Sequence, residues 1–230
     1  MPSLLSLIVR EYRRKLIRKL RPGAIRDPWM RYWEIEIVDD VLRALQPLRC
    51  LEWGSGYSTL RFASLLSSGA SWLSVEHDRT WHERVQGMAA AAEGIRASVE
   101  LHCAPPSRQP WTDAHGDGCA EDLPGYISFP AARGPFDFIL VDGRARVDCL
   151  VAARDLLRPD GVVILHDANR SYYHTVFDLY PQQVPFLDHR PTSGGLWIGS
   201  MSRSLDSLID VPAHQKRWRR ASRASKLLRI

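Results

Sequence analysis

The run Cys50-Leu51-Glu52-Trp53-Gly54-Ser55-Gly56-Tyr57-Ser58-Thr59 constrains the fold more than any other stretch of the chain. It reads as a short buried strand that stops at an acid, then a glycine turn, then the start of a helix. Glycines at 54 and 56 let the backbone take conformations closed to other residues and let a ligand come close. Ser58 or Thr59 is suited to cap the helix. Strand, glycine turn and helix N-terminus together form the nucleotide end of an open α/β sheet. A dinucleotide site would carry G-x-G-x-x-G. Here Thr59 takes the place of the third glycine, and Glu52 stands two residues before Gly54. A carboxylate there repels a pyrophosphate and suits a ligand that brings a cation to the turn. A purely structural βα turn is the plainer alternative.

Length and charge limit what can be built around that turn. A chain of 230 residues accommodates one sizeable α/β domain. No apolar run approaches the ~20 residues of a membrane span, and Leu4 to Val9 is too short for a signal peptide, with its basic residues following it. A cytoplasmic protein is expected. Cys50, Cys103, Cys119 and Cys149 form no C-x-x-C pair, which fits reduced thiols. The net charge of +5 conceals a division: residues 1–21 carry seven basic residues against Glu11 alone, and residues 216–230 carry seven and no acid. The ends are therefore +6 and +7, and the middle is −8. Ser3 to Leu20 reads as a basic amphipathic helix, either lying on an anionic membrane at its inner face or packed on the domain. Pro22-Gly23 is expected to end it. Boundaries follow: a helical extension over 1–47, the central domain over 48–203, and a basic C-terminal tail, expected to be helical like the N-terminal extension, over 204–230.

Five βα units follow in order. A helix over Tyr32 to Leu45 precedes the first strand. Ser71 to Val75 reads as the second strand and ends at Glu76-His77-Asp78. Glu76 lies 24 residues after Glu52, where an acid holds a ribose diol. Trp81 to Ala92 is helical and Val99 to Cys103 a third strand. Residues 104–134 show little periodicity and form a long polar connection; Tyr126 to Phe129 is a candidate pocket wall there. Phe136 to Val141 is a buried strand ending in Asp142-Gly143, Val147 to Leu157 a helix, and Pro159-Asp160-Gly161 a tight turn. Val162 to Leu165 is a strand ending in His166-Asp167-Ala168-Asn169-Arg170. Tyr172 to Tyr180 is expected as helix, then Val184 to Leu187 and Leu196 to Met201 as two strands joined by a hairpin-like return.

Polar residues at adjacent strand ends converge on one crevice in such a sheet: Glu52, Glu76, Asp142, His166, Asp167 and Asn169. Asp142, Asp167 and Asn169 are oxygen donors of the kind Mg²⁺ or Mn²⁺ prefers. His166 or His77 could accept a proton. Each has a structural alternative: Asp142 as a cofactor contact or turn cap, Asp167 and Asn169 as helix caps, His166 as a hydrogen-bonded strand end. Arg144, Arg146 and Arg170 could hold an anionic substrate or form ordinary ion pairs.

Four motifs occur in order: Leu51-Glu52-Trp53-Gly54-Ser55-Gly56-x-Ser58-Thr59, Val75-Glu76-His77-Asp78-x-x-Trp81, Val141-Asp142-Gly143-Arg144-x-Arg146 and His166-Asp167-x-Asn169-Arg170. The set resembles the Rossmann-like class I methyltransferases, in particular bacterial ones grouped with polysaccharide-related proteins. It is similar, more distantly, to the plant glucuronoxylan 4-O-methyltransferases. The resemblance spans residues 48–175. It implies a mostly parallel, doubly wound seven-stranded sheet with an antiparallel last strand, and S-adenosylmethionine as cofactor. Its contacts would be Glu52, Gly54, Ser55, Gly56, Ser58, Thr59, Glu76, His77 and Asp142, with Asp142, His166 and Asp167 as catalytic residues. It implies O-methylation of a glycan or other hydroxylated small molecule. A divalent metal is implied by catechol-type relatives, which use consecutive Asp-Asn; here Ala168 intervenes. The rival classes are a non-catalytic binding module at a membrane and a nucleic-acid methyltransferase. The acidic middle and the lack of an N/D-P-P-Y/F motif after Val141 argue against the latter.

Overall fold

The computed structural model describes residues 3–21 and 26–229; the expected Pro22-Gly23 stop lies outside them. Seven strands form one sheet in the order β3-β2-β1-β4-β5-β7-β6. They are β1 Arg49–Trp53, β2 Ser71–Glu76, β3 Ser98–Cys103, β4 Phe136–Val141, β5 Leu157–His166, β6 Gln182–Phe186 and β7 Leu196–Ser200. All neighbouring pairs are parallel except those of β7, which runs antiparallel to both β5 and β6. This is the expected doubly wound sheet. The order reverses between β1 and β4, and a ligand crevice opens at such a point.

Period-2 alternation explains why the central strands are apolar throughout. Cys50, Trp72, Phe138, Leu140, Val162 and Ile164 face one core. Leu51, Trp53, Leu73, Val75, Ile139, Val141, Val163 and Leu165 face the other. The first core is closed by helices α2 Tyr32–Leu45, α3 Tyr57–Ala63 and α7 Val211–Leu228, and the second by α5 Pro124–Ser128 and α6 Arg146–Leu156. Helix α4 Arg79–Ala90 starts at Asp78, whose side chain accepts from Trp81 N.

Two local expectations are corrected. Pro159-Asp160-Gly161 does not end one element and begin another; it bulges out of β5, so that Leu157 pairs with Phe136 and Val162 with Phe138. Ser171–Leu179 winds as a 3-10 helix. The C-terminal extension is helical as expected, largely α7, anchored by buried Trp218, whose Nε1 donates to Leu187 O at 2.8 Å.

The first helix, α1 Leu4–Leu20, turns a different face inward from the one its apolar spacing suggests. Leu7, Glu11 and Arg14 are buried. Glu11 accepts from Arg14 at 2.7 Å and from Arg31 at 2.8 Å, so the charges are neutralised where the helix meets α2. Leu5, Val9, Tyr12, Leu16 and Leu20 point to solvent. Helices α1 and α7 pack together, and Lys15 Nζ donates to the backbone carbonyl of Arg229. Both basic ends thus lie on one side of the molecule. Among the described residues, no helix is long and apolar enough to cross a membrane.

Candidate active site

The glycine turn sits where two strand ends nearly touch. Gly54 has φ +95°, and a Cβ on it would lie 2.6 Å from Gly143 N and Cα. A Cβ on Gly143 would in turn lie 2.0 Å from the Tyr126 hydroxyl. The ends of β1 and β4 therefore approach backbone to backbone, with the Tyr126 hydroxyl beside the contact. Trp53 Nε1 donates to Tyr126 O at 3.0 Å, which fixes that wall.

Glu52 lies beneath the turn and is fully buried. Its Oε1 accepts from Ser58 at 2.6 Å; its Oε2 accepts from Thr59 at 2.5 Å, Trp72 Nε1 at 3.0 Å and Ser74 at 3.0 Å. Burial pushes its pKa up to about 7 against the pull of those four donors. With both oxygens committed inside the protein, the side chain braces the turn rather than facing a ligand. Ser58 and Thr59 both clamp Glu52, and Thr59 also caps the helix start, its Oγ1 accepting from the N–H of the N-cap residue Gly56 at 3.0 Å.

Glu76 ends the neighbouring strand. Its Oε2 accepts from Ser55 N at 2.9 Å and Ser55 Oγ at 3.2 Å, and its Oε1 accepts from His77 N at 2.8 Å and Asp78 N at 2.9 Å. Burial raises its pKa, but His77, whose Nδ1 lies 2.7 Å away, and the backbone donors outweigh burial and hold it low. It is a carboxylate at neutral pH. Trp81 Nε1 donates to Ser55 O at 2.7 Å, tying α4 to the turn. His77 packs near Trp111 and edge-on to Tyr126, with ring centroids 5.9 and 6.1 Å away.

The other half of the site is a charge network at the ends of β4 and β5. His166 Nδ1 lies 2.7 Å from Asp142 Oδ1, and its Nε2 lies 3.4 Å from Glu34 Oε2 and 3.8 Å from Asp167 Oδ1. Burial would lower its pKa; Asp142, Glu34 and Asp167 reverse that and hold it at about 10. Arg146 donates to the carbonyls of Gly143, His166 and Asp142 at 3.0, 2.6 and 3.2 Å. Asp167, at φ +61°, accepts from Gly194 N at 2.5 Å and Arg170 at 3.1 Å. Asp117 joins from the long connection, accepting from Tyr173 at 3.1 Å and Arg146 N at 3.2 Å.

A model of a methyltransferase domain matches residues 51–168, just over half of the chain. The chain belongs to this methyltransferase-domain family. Its sheet is shared with solved structures of low sequence identity. A methyltransferase-like protein from Silicibacter pomeroyi is 22% identical, with 83% of this chain and 98% of that one aligned at a TM-score of 0.55. The O-methyltransferase TomG of Streptomyces achromogenes, solved with S-adenosylmethionine, is 19% identical over 88% and 91% at 0.54. An O-methyltransferase from Bacillus cereus, solved with S-adenosylhomocysteine, is 16% identical over 84% and 89% at 0.56. No curated protein matches the chain.

Within this methyltransferase domain the sequence-derived residues fall into two groups. Gly54, Ser55, Gly56, Glu76 and His77 gather at the β1–β2 end of the crevice, and Asp142, His166 and Asp167 at the β4–β5 end. Asn169 leaves the set: its Nδ2 donates to Asp188 at 2.8 Å and Ser193 O at 2.9 Å, and its Oδ1 accepts from Asp188 N at 2.9 Å. Asp142 and Asp167 are likewise neutralised by His166, Arg146 and Arg170. The expected Mg²⁺ or Mn²⁺ donor set does not fit an ion here, because two of its members are already paired with cations and the third is fully hydrogen-bonded. Among the described residues no cluster of three His, Cys, Asp or Glu could hold a metal. His166 is also not an available proton acceptor, because its carboxylate neighbours keep it protonated.

Glu34, Arg190, Asp188 and Asp117 escape sequence reasoning. Glu34 is buried on the first turn of α2, accepts from Arg31 N at 2.6 Å, Arg190 at 2.9 Å and Gly195 N at 3.1 Å, and contacts His166 across 132 residues of chain. Its only local signal is its place as an acid in the first turn of a helix.

Proposed function

We propose that the chain transfers the methyl group of S-adenosylmethionine to a hydroxyl of a carbohydrate-like small molecule. The observation that carries this is the backbone contact of Gly54 with Gly143, flanked by the ionised Glu76 at the next strand end. That cradle admits a ligand edge where any side chain would block it; Glu76 stands at the strand end where an acid holds a ribose diol, and the diol would displace the Ser55 hydroxyl, the longest of the four bonds Glu76 accepts at 3.2 Å. Ser55, Gly56 and His77 complete the holding set. When bound, the cofactor supplies a methyl group already activated on a sulfonium.

The chain then has to position and deprotonate an acceptor. Asp142 Oδ1 is committed to His166, which leaves Oδ2 to accept from the acceptor hydroxyl and take its proton as the oxygen gains the methyl. His166, Arg146 and Glu34 hold Asp142 in place. The carbohydrate-like acceptor is supported by the motif resemblance and by the polar, charged lining of the cavity beside His166.

Calorimetric titration with S-adenosylhomocysteine tests this reading. Wild-type protein is expected to bind saturably, and Glu76→Gln to bind about 10- to 100-fold more weakly, the scale of a lost charged hydrogen bond. A folded wild-type protein that does not bind would overturn it.

A further inference from the structure

A cavity of about 630 Å³ lies between α1, the start of α2, α7 and the return from β6 to β7. At its inner end are Glu34, His166 and Asp167. His166 Nε2 is buried there with no hydrogen-bond partner among the described residues. The lining carries three carboxylates, and each is already matched: Glu11 by Arg14 and Arg31, Glu34 by Arg190 and His166, and Asp167 by Arg146 and Arg170. Lys15, Lys226 and Arg229 also line the cavity, and none has a carboxylate partner among the described residues. Three cations from the two ends of the chain, without a carboxylate partner among the described residues, thus stand at a cavity whose inner wall includes His166, the residue that holds Asp142. A volume of this size suits a ligand of sugar size.

We propose, resting on the methyltransferase reading above, that the acceptor carries a phosphate or carboxylate group, bound by Lys15, Lys226 and Arg229 while the rest of it enters the cavity toward His166, which holds Asp142. Lys15, Lys226 and Arg229 are exposed, so they would meet the anion at the rim of the cavity, where salt weakens their attraction. The test titrates protein saturated with S-adenosylhomocysteine with glucose, glucuronic acid and glucose 6-phosphate. At least one charged sugar is expected to bind tenfold or more tightly than glucose, and Lys226→Glu/Arg229→Glu to lose that preference while S-adenosylhomocysteine binding stays within twofold. Charged sugars binding no tighter than glucose, or a preference that survives in the double variant, would overturn the proposal. Failure to bind S-adenosylhomocysteine would instead remove the reading beneath it. If phosphatidylglycerol vesicles displace the charged sugar and phosphatidylcholine vesicles do not, the anion belongs to a lipid headgroup; without displacement it belongs to a soluble acceptor.

A second, independent observation concerns the outer face of α1. Leu5, Tyr12 and Leu20 are 71%, 54% and 69% exposed, and with Val9 and Leu16 they form one stripe at helical spacing. Exposed Arg10, Arg13 and Lys19 flank it, and exposed Leu227 lies at the tip of the adjoining α7. We infer that this face docks on an anionic membrane. A second copy of the chain is a poorer partner, because a two-fold contact would set these cations against themselves. A lipid surface instead takes up the apolar stripe and neutralises the flanks, at ~1 kcal/mol for each basic residue near it.

Flotation with vesicles containing phosphatidylglycerol is expected to carry the protein at low salt. Leu5→Glu/Leu16→Glu should fall to a tenth of that binding with an unchanged melting temperature. Failure of the wild type to float, equal flotation of the variant, or a dimer in sedimentation that the variant dissolves would each overturn the inference.

Discussion

Gly54→Ala is expected to weaken S-adenosylhomocysteine binding at least 100-fold in a protein that still folds. Two costs add at this position. At φ +95° an L side chain is strained, at roughly 1–2 kcal/mol. The new Cβ would also meet Gly143 backbone atoms at 2.6 Å. The Tyr126 hydroxyl crowds the same side of Gly143 that meets Gly54, so the space around the contact is already filled. The turn must therefore lift, and Ser55 N, held at 2.9 Å by Glu76, moves with it. A stability loss of about 2–3 kcal/mol follows, which for a chain of this length is a fall of roughly 5–10 °C in melting temperature. Gly87→Ala is the control: Gly87 lies within α4 with nothing within 4 Å of its added Cβ, so it should bind as wild type and melt no lower. If Gly54→Ala binds S-adenosylhomocysteine like the control, the crevice between β1 and β4 is not the cofactor site.

The difference between those two glycines shows what sequence can carry. Gly54 stands in a strand–turn–helix pattern whose geometry is local, so its role is legible from ten residues. The sheet is legible for the same reason: each strand announces itself by a short apolar run, and parallel order follows from the intervening helices. Side-chain direction at the strand ends is not local. Glu52 is an acid before a glycine turn, and sequence alone points it at a ligand. Only Trp72 and Ser74 on the next strand, together with Ser58 and Thr59, show that it is consumed beneath the turn. Asn169 is similar, because Asp188, which occupies it, arrives from beyond the 3-10 helix. His166 is the most instructive case. A histidine at a strand end invites a role as base, but Asp142, and after it Glu34, a residue of the N-terminal extension that no motif connects to it, hold its pKa up.

That dependence leads to the prediction with the largest effect on stability, Glu34→Gln. Glu34 is 1% exposed and serves Arg31 N, Arg190, Gly195 N and the His166 imidazolium. An amide keeps the shape but removes the charge, and turns an NH₂ group toward donors. Breaking a buried pair in this way costs ~3–5 kcal/mol. Its pH dependence identifies the cause. His166 is raised from 6.5 to about 10 by Asp142 and Glu34 against burial, so its contribution is fully present below pH 6.5 and is lost as pH rises toward 10. The pKa of Glu34 is lowered, with His166 and Arg190 overcoming burial, so its contribution is present above pH 4.5 and is lost as pH falls further. The wild type and Glu34→Gln should therefore differ most between about pH 5 and 7 and converge toward both acid and alkali. In the variant, His166 should titrate at lower pH, a shift that NMR of the ring protons reads directly. A stability difference that stays constant from pH 4 to 10, with His166 unmoved, would mean that Glu34 acts through shape alone, and would remove the electrostatic link between the N-terminal extension and the Asp142–His166 pair.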